Sequence, residues 1–498
     1  MEKLNNVKSS VNAPKMETGR KKGYAAIIIL LAVLCAVMIP VDIFLIRNIK
    51  PDTEVVLYDP GEQGRPAGGD RVITVDSKPV FTYATAVNFN RSWSQNPKLE
   101  KTPVAYFDFS GTVTVKIRTP DTAIRSVTVR PLALGIKPEI KGDTLSFKLS
   151  KPAKLTIEIN NDLHRAVHLF ANGLEKEPPR EGDPNVLYFG PGIHNVGRID
   201  VQSNQTVYIA GGAVVYGFIK ANRLDGVKIT GRGIIDGSGY SRWNDHIVPI
   251  DLGDCTNCSI DGITILDPAA WALNINSCEN INISNVNIIT ARSNGDGISL
   301  QSCKDVEVSG CFVRGWDDNL VVKGYGGDSS RITFEDMILW TDLAQSCEIG
   351  YETRAGIIED ITFRNITVLH NFHKAVLSIH NGDQAMIRNV HFDNIVVEDA
   401  QMGMGDGAGS DYLVDIMISD SQWSQSKERG NIRDVFFNNV AVLGGNAPHS
   451  HIQGYDEGHT VENVHISNLK ILGKEIADPK TGQFYIMDFT KGITFDGR

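Results

Sequence analysis

Two hydrophobic patterns divide the chain into an N-terminal part of short strands and a C-terminal part built from repeats. From Asp52 to about Pro184, apolar and polar residues alternate with period two, as in Ser126–Arg130 and Leu155–Ile159. Alternation buries one face of each strand, and several such strands at short spacing are typical of a β-sandwich. We therefore predict a β-sandwich-like module at residues 51–184.

Beyond Asn185 an eight-residue pattern recurs: apolar-x-apolar-x-(Gly, Asn or Asp)-apolar-x-apolar. Its copies begin at Cys258, Ile281, Val306, Ile332, Ile361, Val390, Val435 and Val464. The apolar positions have strand period, and coils stacked about 4.8 Å apart would bury them in one core. The residue at the fifth position permits a tight left-handed bend. The pattern predicts an all-β fold in which residues 185–498 form a right-handed parallel β-helix, with a long loop at about Gln401–Gly430.

Three cysteines keep the register of the repeats. Cys255, Cys278 and Cys303 each lie three residues before a repeat start, so we expect them to stack on neighbouring coils. A ladder of small buried side chains explains this spacing, and a disulfide between two rungs is the alternative outside the cytoplasm. No second CxxC or histidine pair accompanies Cys255-x-x-Cys258. We therefore predict neither a metal site nor a cofactor.

An apolar segment near the N-terminus predicts a membrane anchor. Gly23–Val41 contains no charge and approaches the roughly 20 residues that span a bilayer core. Arg20, Lys21 and Lys22 precede it, so the positive-inside rule keeps residues 1–22 in the cytoplasm. We predict an uncleaved transmembrane signal anchor at residues 23–46, with the rest of the chain in the periplasm or at the cell surface. A cleaved signal peptide is the alternative.

Composition and charge exclude several classes of protein. The chain of 498 residues is 42% hydrophobic and 22% charged, which is ordinary for a globular protein and unlike a disordered or multi-pass membrane protein. Its formal net charge is −10, and the first fifty residues are basic, so the remainder is still more acidic. An acidic protein cannot replace the counterions of the nucleic-acid phosphates. We therefore exclude nucleic acid as a partner.

The repeat register brings acidic side chains of neighbouring coils together. Trp271–Cys278 aligns with Asp296–Cys303 without a gap, and the next coil carries Asp317 and Asp318 near the same point. Crowded carboxylates raise one another's pKa, so at least one of them holds a proton. Glycoside hydrolysis needs such a pair, because one carboxylic acid protonates the leaving oxygen while a carboxylate activates water. Turn capping or calcium binding is the alternative for each aspartate taken alone.

These aspartates also carry a family resemblance. Asn294-x-Asp296-Gly297, followed one coil later by Asp317-Asp318, resembles the polygalacturonase family and the related dextranase and isopullulanase family. The opening coils of both are similar to three further runs, Gly192–Asn195, Gly212–Gly217 and Ile229–Gly237. The resemblance covers about residues 186–470. It implies a polysaccharide- or oligosaccharide-cleaving, inverting glycoside hydrolase, with Asp317 as general acid and Asp296 and Asp318 holding the water as general base.

The chain departs from the polygalacturonase pattern at two places. Where that family has Gly-His-Gly, this chain has Ser346–Gly350, and no Arg-Ile-Lys appears in the coil after that. Those cations would clamp a galacturonate carboxylate, so we predict a preference for a neutral, α-linked glycan. Pectin is the alternative substrate, because three other cations could contact its carboxylates: Arg354, Lys323 and Lys374.

The neighbours of the aspartates supply candidate contacts to the sugar. We predict seven substrate-binding residues: Trp271, Trp316, Lys323, Glu348, Tyr351, Arg354 and Lys374. The three aromatic rings among them would stack on sugar faces, with core packing as the alternative. Lys323 shares its repeat offset with Glu352, so a buried or semi-buried ion pair near the aspartates is the alternative to a sugar contact for Lys323. Trp423, in the long loop, is a further candidate to reach over the cleft.

Two other functions remain open at this point. A polysaccharide lyase would use Asp296, Asp317 and Asp318 as calcium ligands and Lys323 or Arg354 as its base. A surface adhesin would use a long face of the solenoid for binding. An adhesin, however, has no reason to collect three aspartates beside aromatic rings.

Overall fold

The computed structural model describes residues 53–61, 70–88, 94, 96–120, 122–245, 247–402 and 412–496. The predicted cytoplasmic tail and signal anchor fall within residues 1–52, outside this set. In the ranges just given, no helix is long and apolar enough to cross a membrane. The regular structure there consists of strands and one 3-10 turn at Leu132–Leu134.

The alternating N-terminal segment forms two sheets that share one apolar core. The six-stranded sheet contains Glu54–Leu57, Thr82–Asn88, Leu99–Ser110, Val127–Arg130, Ala153–Ile159 and Asp162–Gly173. The five-stranded sheet contains Val72–Val75, Lys78–Val80, Val113–Arg118, Glu139–Lys141 and Thr144–Leu149. Phe107 of the first sheet and Val115 of the second are both fully buried in that core. Period-two alternation arises here because each strand turns one face toward the opposite sheet.

From Val186 onward the strands pair in parallel, except for the antiparallel pair Leu469–Ile471 with Lys474–Ile476, and they stack in coils with three faces. The first face contains Val186–Phe189, Thr206–Ile209, Lys228–Gly231, Ser259–Asp261, Glu279–Ser284, Lys304–Ser309, Ser329–Glu335, Val461–Ser467, Thr490–Asp496 and the first halves of Ile357–Asn371, Met386–Val397 and Asn431–Val442. The second face contains the second halves of Ile357–Asn371, Met386–Val397 and Asn431–Val442, together with Gly192–Ile199, Ala213–Asn222, Ile234–Asp236, Thr264–Leu266, Asn287–Ile289, Phe312–Gly315, Ile338–Thr341 and Leu469–Ile471. The last of these strands also pairs with Lys474–Ile476. The third contains Ile250–Gly253, Leu273–Asn276, Ile298–Gln301, Leu320–Tyr325, Cys347–Arg354, Leu377–Asn381, Tyr412–Ile418, His449–Gln453 and Phe484–Ile486. This arrangement confirms the predicted parallel β-helix.

The strand pairing also confirms the predicted register. From Ile281 to Val464, each repeat start pairs with the next one along the chain. The residues at the fifth position all have φ between 52° and 80°: Gly262, Asn285, Gly310, Asp336, Asn365, Asn394, Asn439 and Asn468. Glycine and asparagine adopt this left-handed conformation at low cost, so they recur where each coil turns its corner.

The cysteine ladder is confirmed as well. Cys255, Cys278 and Cys303 are buried and free, and the backbone N–H of Cys255 lies 3.3 Å from Cys278 Sγ in the next coil. The alternative of a disulfide between two of these rungs is therefore wrong.

The sandwich packs against the second face of the β-helix. Phe170 of the sandwich contacts Phe312 of the helix with ring centroids 5.2 Å apart, within a shared apolar cluster. Arg130 adds ion pairs to Glu158 of the sandwich at 2.7 Å and to Glu398 of the helix at 2.9 Å. Residues 54–498 thus form one compact unit. The predicted module limit at 184 and 185 lies in the segment between the last sandwich strand and the first helix strand.

Candidate active site

Turns between the second and third faces bring the three aspartates together. Asp296 lies two residues before Ile298–Gln301, and Asp317 and Asp318 lie just before Leu320–Tyr325. These two strands are direct neighbours, and a backbone hydrogen bond of 2.8 Å joins the residue after Asp296 to the carbonyl of Asp318. The predicted meeting of the three carboxyl groups on adjacent coils is therefore present in the fold.

Buried polar groups hold these turns in place. Thr290 Oγ1 donates to the carbonyl of Gly295 at 2.6 Å and accepts from the backbone N–H of Trp316 at 2.9 Å. Asn319, which is fully buried, donates through Nδ2 to the carbonyl of Trp340 at 3.0 Å. The bond from Thr290 to Gly295 closes one turn, and the other two contacts join neighbouring coils. The positions of the aspartates therefore depend on the stacking of the coils.

A cavity of about 310 Å³ opens beside the aspartates. Its lining residues are Trp271, Asn294, Asp296, Trp316, Asp317, Asp318, Lys323, Tyr325, Leu343, Gln345, Tyr351, Glu352, Lys374 and Trp423. All the predicted site residues are among them except Glu348 and Arg354. The strand Tyr412–Ile418 interrupts the long loop predicted at about Gln401–Gly430. Trp423 lies in the segment between this strand and Asn431–Val442, and its presence in the lining agrees with the expectation that it reaches the cleft.

The position of Glu348 needs a correction. Gln345 occupies the turn of that coil beside the aspartates, and its backbone N–H donates to Asp318 Oδ1 at 3.2 Å. Glu348 lies three residues later, inside a third-face strand, where it is fully buried and accepts hydrogen bonds from His380 Nδ1 at 2.8 Å and from Ser378. The structure therefore removes it from the predicted contacts to the sugar.

Arg354 is likewise separated from the cavity. It ends the strand Cys347–Arg354, is exposed, and donates to the carbonyl of Tyr325 at 3.1 Å. Its offset from the repeat start carried no information about the direction of its side chain. We remove it, with Glu348, from the candidate sugar contacts.

The three aspartates have raised pKa values. Burial, followed by the charge of Asp317, raises the pKa of Asp296, while Lys323 opposes the shift. Burial also raises the pKa of Asp317 against the charges of Lys374 and Lys323. The pKa of Asp318 rises because of burial and the neighbouring Asp317. The trio therefore keeps a proton closer to neutral pH than an isolated aspartate does.

Lys323 is the central cation of the site. Its Nζ lies 3.2 Å from Glu352 Oε2 and 3.8 Å from Asp296 Oδ2, and the side chain is buried. The same ammonium lies 5.3 Å from the ring centroid of Trp271. Burial lowers the pKa of Lys323, but the two carboxylates outweigh this effect and raise it overall. The predicted ion pair with Glu352 is confirmed.

The aromatic residues of the cavity differ in how they are held. Trp316 is only 1% exposed, which favours core packing over sugar stacking. Trp271 and Tyr351 are half-buried, and the ring of Tyr351 stacks on His380 with centroids 4.2 Å apart. Trp423 is 50% exposed. The rings of Trp271, Tyr351 and Trp423 are therefore the ones with surface available to a sugar.

The lining also contains residues that the sequence analysis did not single out. Tyr325 donates its hydroxyl to Glu352 Oε1 at 3.0 Å. It lies two residues after Lys323 on the same strand, so strand alternation was a usable signal for it. Gln345 and Leu343 lie in a turn of irregular length, where the repeat register gives no alignment.

The calcium-dependent lyase requires clustered metal ligands. Throughout the ranges that the structure describes, no group of three or more His, Cys, Asp or Glu side chains is arranged to hold a metal ion.

The chain matches a protein-family model and is similar to several known proteins. A family model described as glycosyl hydrolases family 28 matches residues 193–483, more than half of the chain. A putative galacturan 1,4-alpha-galacturonidase A from Aspergillus niger is 22% identical, over 61% of this chain and 74% of the relative. A probable rhamnogalacturonase A from Aspergillus oryzae is 26% identical, over 43% of this chain and 42% of the relative.

A solved structure has a similar fold over most of the chain. Dex49A from Penicillium minioluteum superposes with a TM-score of 0.58 at 15% identity, over 89% of this chain and 97% of its own. At that identity the likeness concerns the fold. The family match agrees with the resemblance found in the aspartate motifs. The chain therefore belongs to glycosyl hydrolases family 28 and is a glycoside hydrolase.

Proposed function

We propose that this hydrolase cleaves a galacturonate-containing, pectin-type glycan by a single displacement that inverts the anomeric carbon. The observation that carries the proposal is the trio of carboxyl groups on two adjacent coils inside the cavity. In this mechanism Asp317 protonates the leaving oxygen as general acid. Asp296 and Asp318 hold the attacking water and take its proton as general base.

The contacts of Asp296 and Asp318 support their role as the general base. Asp296 is paired with the Lys323 ammonium, and Asp318 accepts the backbone N–H of Gln345. Both contacts favour the ionised form of a carboxyl group. The charges of Lys374 and Lys323 also favour the ionised form of Asp317, so its role as general acid is taken from the resemblance of the aspartate motif.

The substrate class is drawn from the named relatives and from one cation of the cavity. The two relatives are named for galacturan and rhamnogalacturonan chemistry. Lys374 lines the cavity, and its charge acts on Asp317. An ammonium at this position is suited to a uronate carboxylate in the neighbouring subsite.

A neutral α-linked glycan remains a second candidate. Four carboxyl groups but only two lysines line the cavity, and one of these lysines, Lys323, is already paired. An excess of carboxylates opposes a polyanion unless protons reduce it. The relatives give no support to this candidate, nor to the lyase, so it rests on the cavity and on the missing Arg-Ile-Lys.

A comparison of substrates separates the two candidates. We expect a higher kcat/KM on polygalacturonate or rhamnogalacturonan than on neutral α-glucans. Lys374→Met is expected to raise KM on the uronate polymer by about tenfold, the effect of losing one charge-assisted contact, and Lys374→Arg to retain most of the affinity. A higher kcat/KM on a neutral glucan would reverse the choice.

A variant of the general acid tests the mechanism. Asp317→Asn is expected to lower kcat by several orders of magnitude on natural substrates, and by less on a substrate whose leaving group needs no proton. Asp305→Asn, at a half-buried first-face position that does not line the cavity, is the matched control and should retain activity. NMR of the first product should show the anomer opposite to that of the substrate. Retention of configuration would refute the single displacement.

We also propose that residues 23–46 anchor the protein in a membrane, with the hydrolase outside the cytoplasm. The charge-free segment and the basic residues before it support this topology. Protease added to intact or outer-membrane-permeabilised cells should digest the body of the protein. A protected body would overturn the topology.

A further inference from the structure

A tryptophan near the cavity presents an open ring to solvent. Trp243 is 47% exposed, which is unusual for so large an apolar side chain. The guanidinium of Arg242 lies 4.5 Å from its ring centroid, and the indole N–H donates to Asn96 Oδ1 of the sandwich at 3.3 Å. One side of the ring is thus packed and its edge is tethered. About half of the side chain remains available for contact.

Reciprocal arginine contacts fix this ring relative to the catalytic turn. Arg242 donates through Nε to the carbonyl of Ser293 at 2.6 Å and through a second nitrogen to Asn294 Oδ1. In return, Arg292 donates to the carbonyl of Tyr240 at 2.5 Å. Each turn therefore supplies an arginine to the other. Asn294 lines the cavity and lies two residues before Asp296.

The fold places Trp243 in line with the cavity. Its turn precedes the third-face strand Ile250–Gly253, just as Trp271 precedes Leu273–Asn276 and Asp296 precedes the strand after that. Neighbouring strands lie about 4.8 Å apart, so the strand that follows Trp243 stands about 10 Å along the helix axis from the strand that follows Asp296. Trp271, which lines the cavity, lies on the coil between them.

We propose that Trp243 is a remote sugar-binding platform, which contacts a part of the substrate chain that the cavity itself cannot hold. The inference rests on the proposed function, since it assumes a glycan longer than the cavity. An indole ring offers a flat apolar surface to the C–H face of a sugar ring. Because the arginine contacts already order the turn, binding there costs little conformational entropy.

The experiment measures how affinity grows with chain length. Oligogalacturonides from disaccharide to octasaccharide are titrated calorimetrically into the full chain carrying Asp317→Asn, which prevents turnover. In this background Trp243→Ala should reduce the affinity gained between the shortest and longest members by about tenfold. Trp243→Phe should retain most of that gain, because it keeps an aromatic face. Tyr485→Ala, a third-face residue that is 48% exposed and does not line the cavity, is the control.

Two results would overturn the platform. The first is an unchanged gain of affinity with length in Trp243→Ala. The second is an equal loss at every length, which would mean that the ring only shapes the cavity. If only α-glucan oligosaccharides bind, the proposed substrate class is wrong. The gain in affinity between the shortest and longest α-glucans, compared between the Trp243→Ala protein and its parent, then tests the role of Trp243. Binding of neither series would overturn both proposals.

Discussion

The charge state of Asp296 depends on one buried lysine, and Lys323→Met is the change that tests this dependence. Methionine keeps a flexible unbranched side chain and removes the charge. In the native protein the ammonium lies 3.8 Å from Asp296 Oδ2 and 3.2 Å from Glu352 Oε2. The substitution therefore leaves two buried carboxyl groups without their cation.

The size of the effect follows from the distance. Two unit charges 3.8 Å apart interact by about 4 kcal/mol at an effective dielectric constant of about 20, equivalent to about 3 pKa units. Loss of the cation destabilises the ionised form of Asp296, so its pKa rises further. A general base must be ionised to act. The acidic limb of the pH–rate profile is therefore expected to move to higher pH, by about one to three units after allowance for relaxation and solvent.

Glu352→Gln is the matched control, because it should shift the pKa of Asp296 in the opposite direction. The charge of Glu352 raises the pKa of Asp296, so its removal, with Lys323 still present, should move the acidic limb to lower pH. The assay is kcat/KM from release of reducing ends, measured across the pH range on the substrate that the native protein cleaves best. Thermal unfolding is followed in parallel, because removal of one partner of a buried ion pair costs about 3–5 kcal/mol.

The double variant Lys323→Met with Glu352→Gln keeps the test usable if the single variant unfolds, since it removes one buried charge of each sign. A folded Lys323→Met protein whose acidic limb does not move would refute the role of Lys323. A shift in the same direction in both single variants would refute it as well.

Two further predictions concern stability. Although burial opposes it, the charges of Glu348 and Asp415 raise the pKa of His380 to about 10, from 6.5. Its contribution to the free energy of unfolding should thus be complete below about pH 6.5 and be lost as pH approaches 10. Denaturant titrations at several pH values should show the free energy of unfolding falling over this range, and His380→Asn should reduce that dependence on pH. Since Cys255, Cys278 and Cys303 are free, the thermal midpoint should be the same with and without a thiol reductant. A fall of several degrees would reveal a disulfide.

The sequence alone determined the solenoid, its register and the meeting point of the catalytic candidates. In a parallel β-helix every coil repeats the strand pairing of the one before, so a short motif aligns all coils at once. That is why the repeat starts pair as predicted and why the alignment of Trp271 with Asp296 holds through Leu273 and Ile298. The cysteine ladder follows from the same alignment.

The tertiary structure decided what lies away from the repeats. Turns differ in length between coils, so the sequence placed Glu348 beside Asp317 and Asp318, whereas the strand pairing sets it opposite Val321, inside the strand. The contacts of Trp243 and the entry of Trp423 into the cavity belong to loops that share no alignment with other coils. The pKa shifts of the aspartates arise from burial and from charges brought close in space. A side chain's surroundings depend on distance through the folded protein, whereas a repeat specifies only position along the coil.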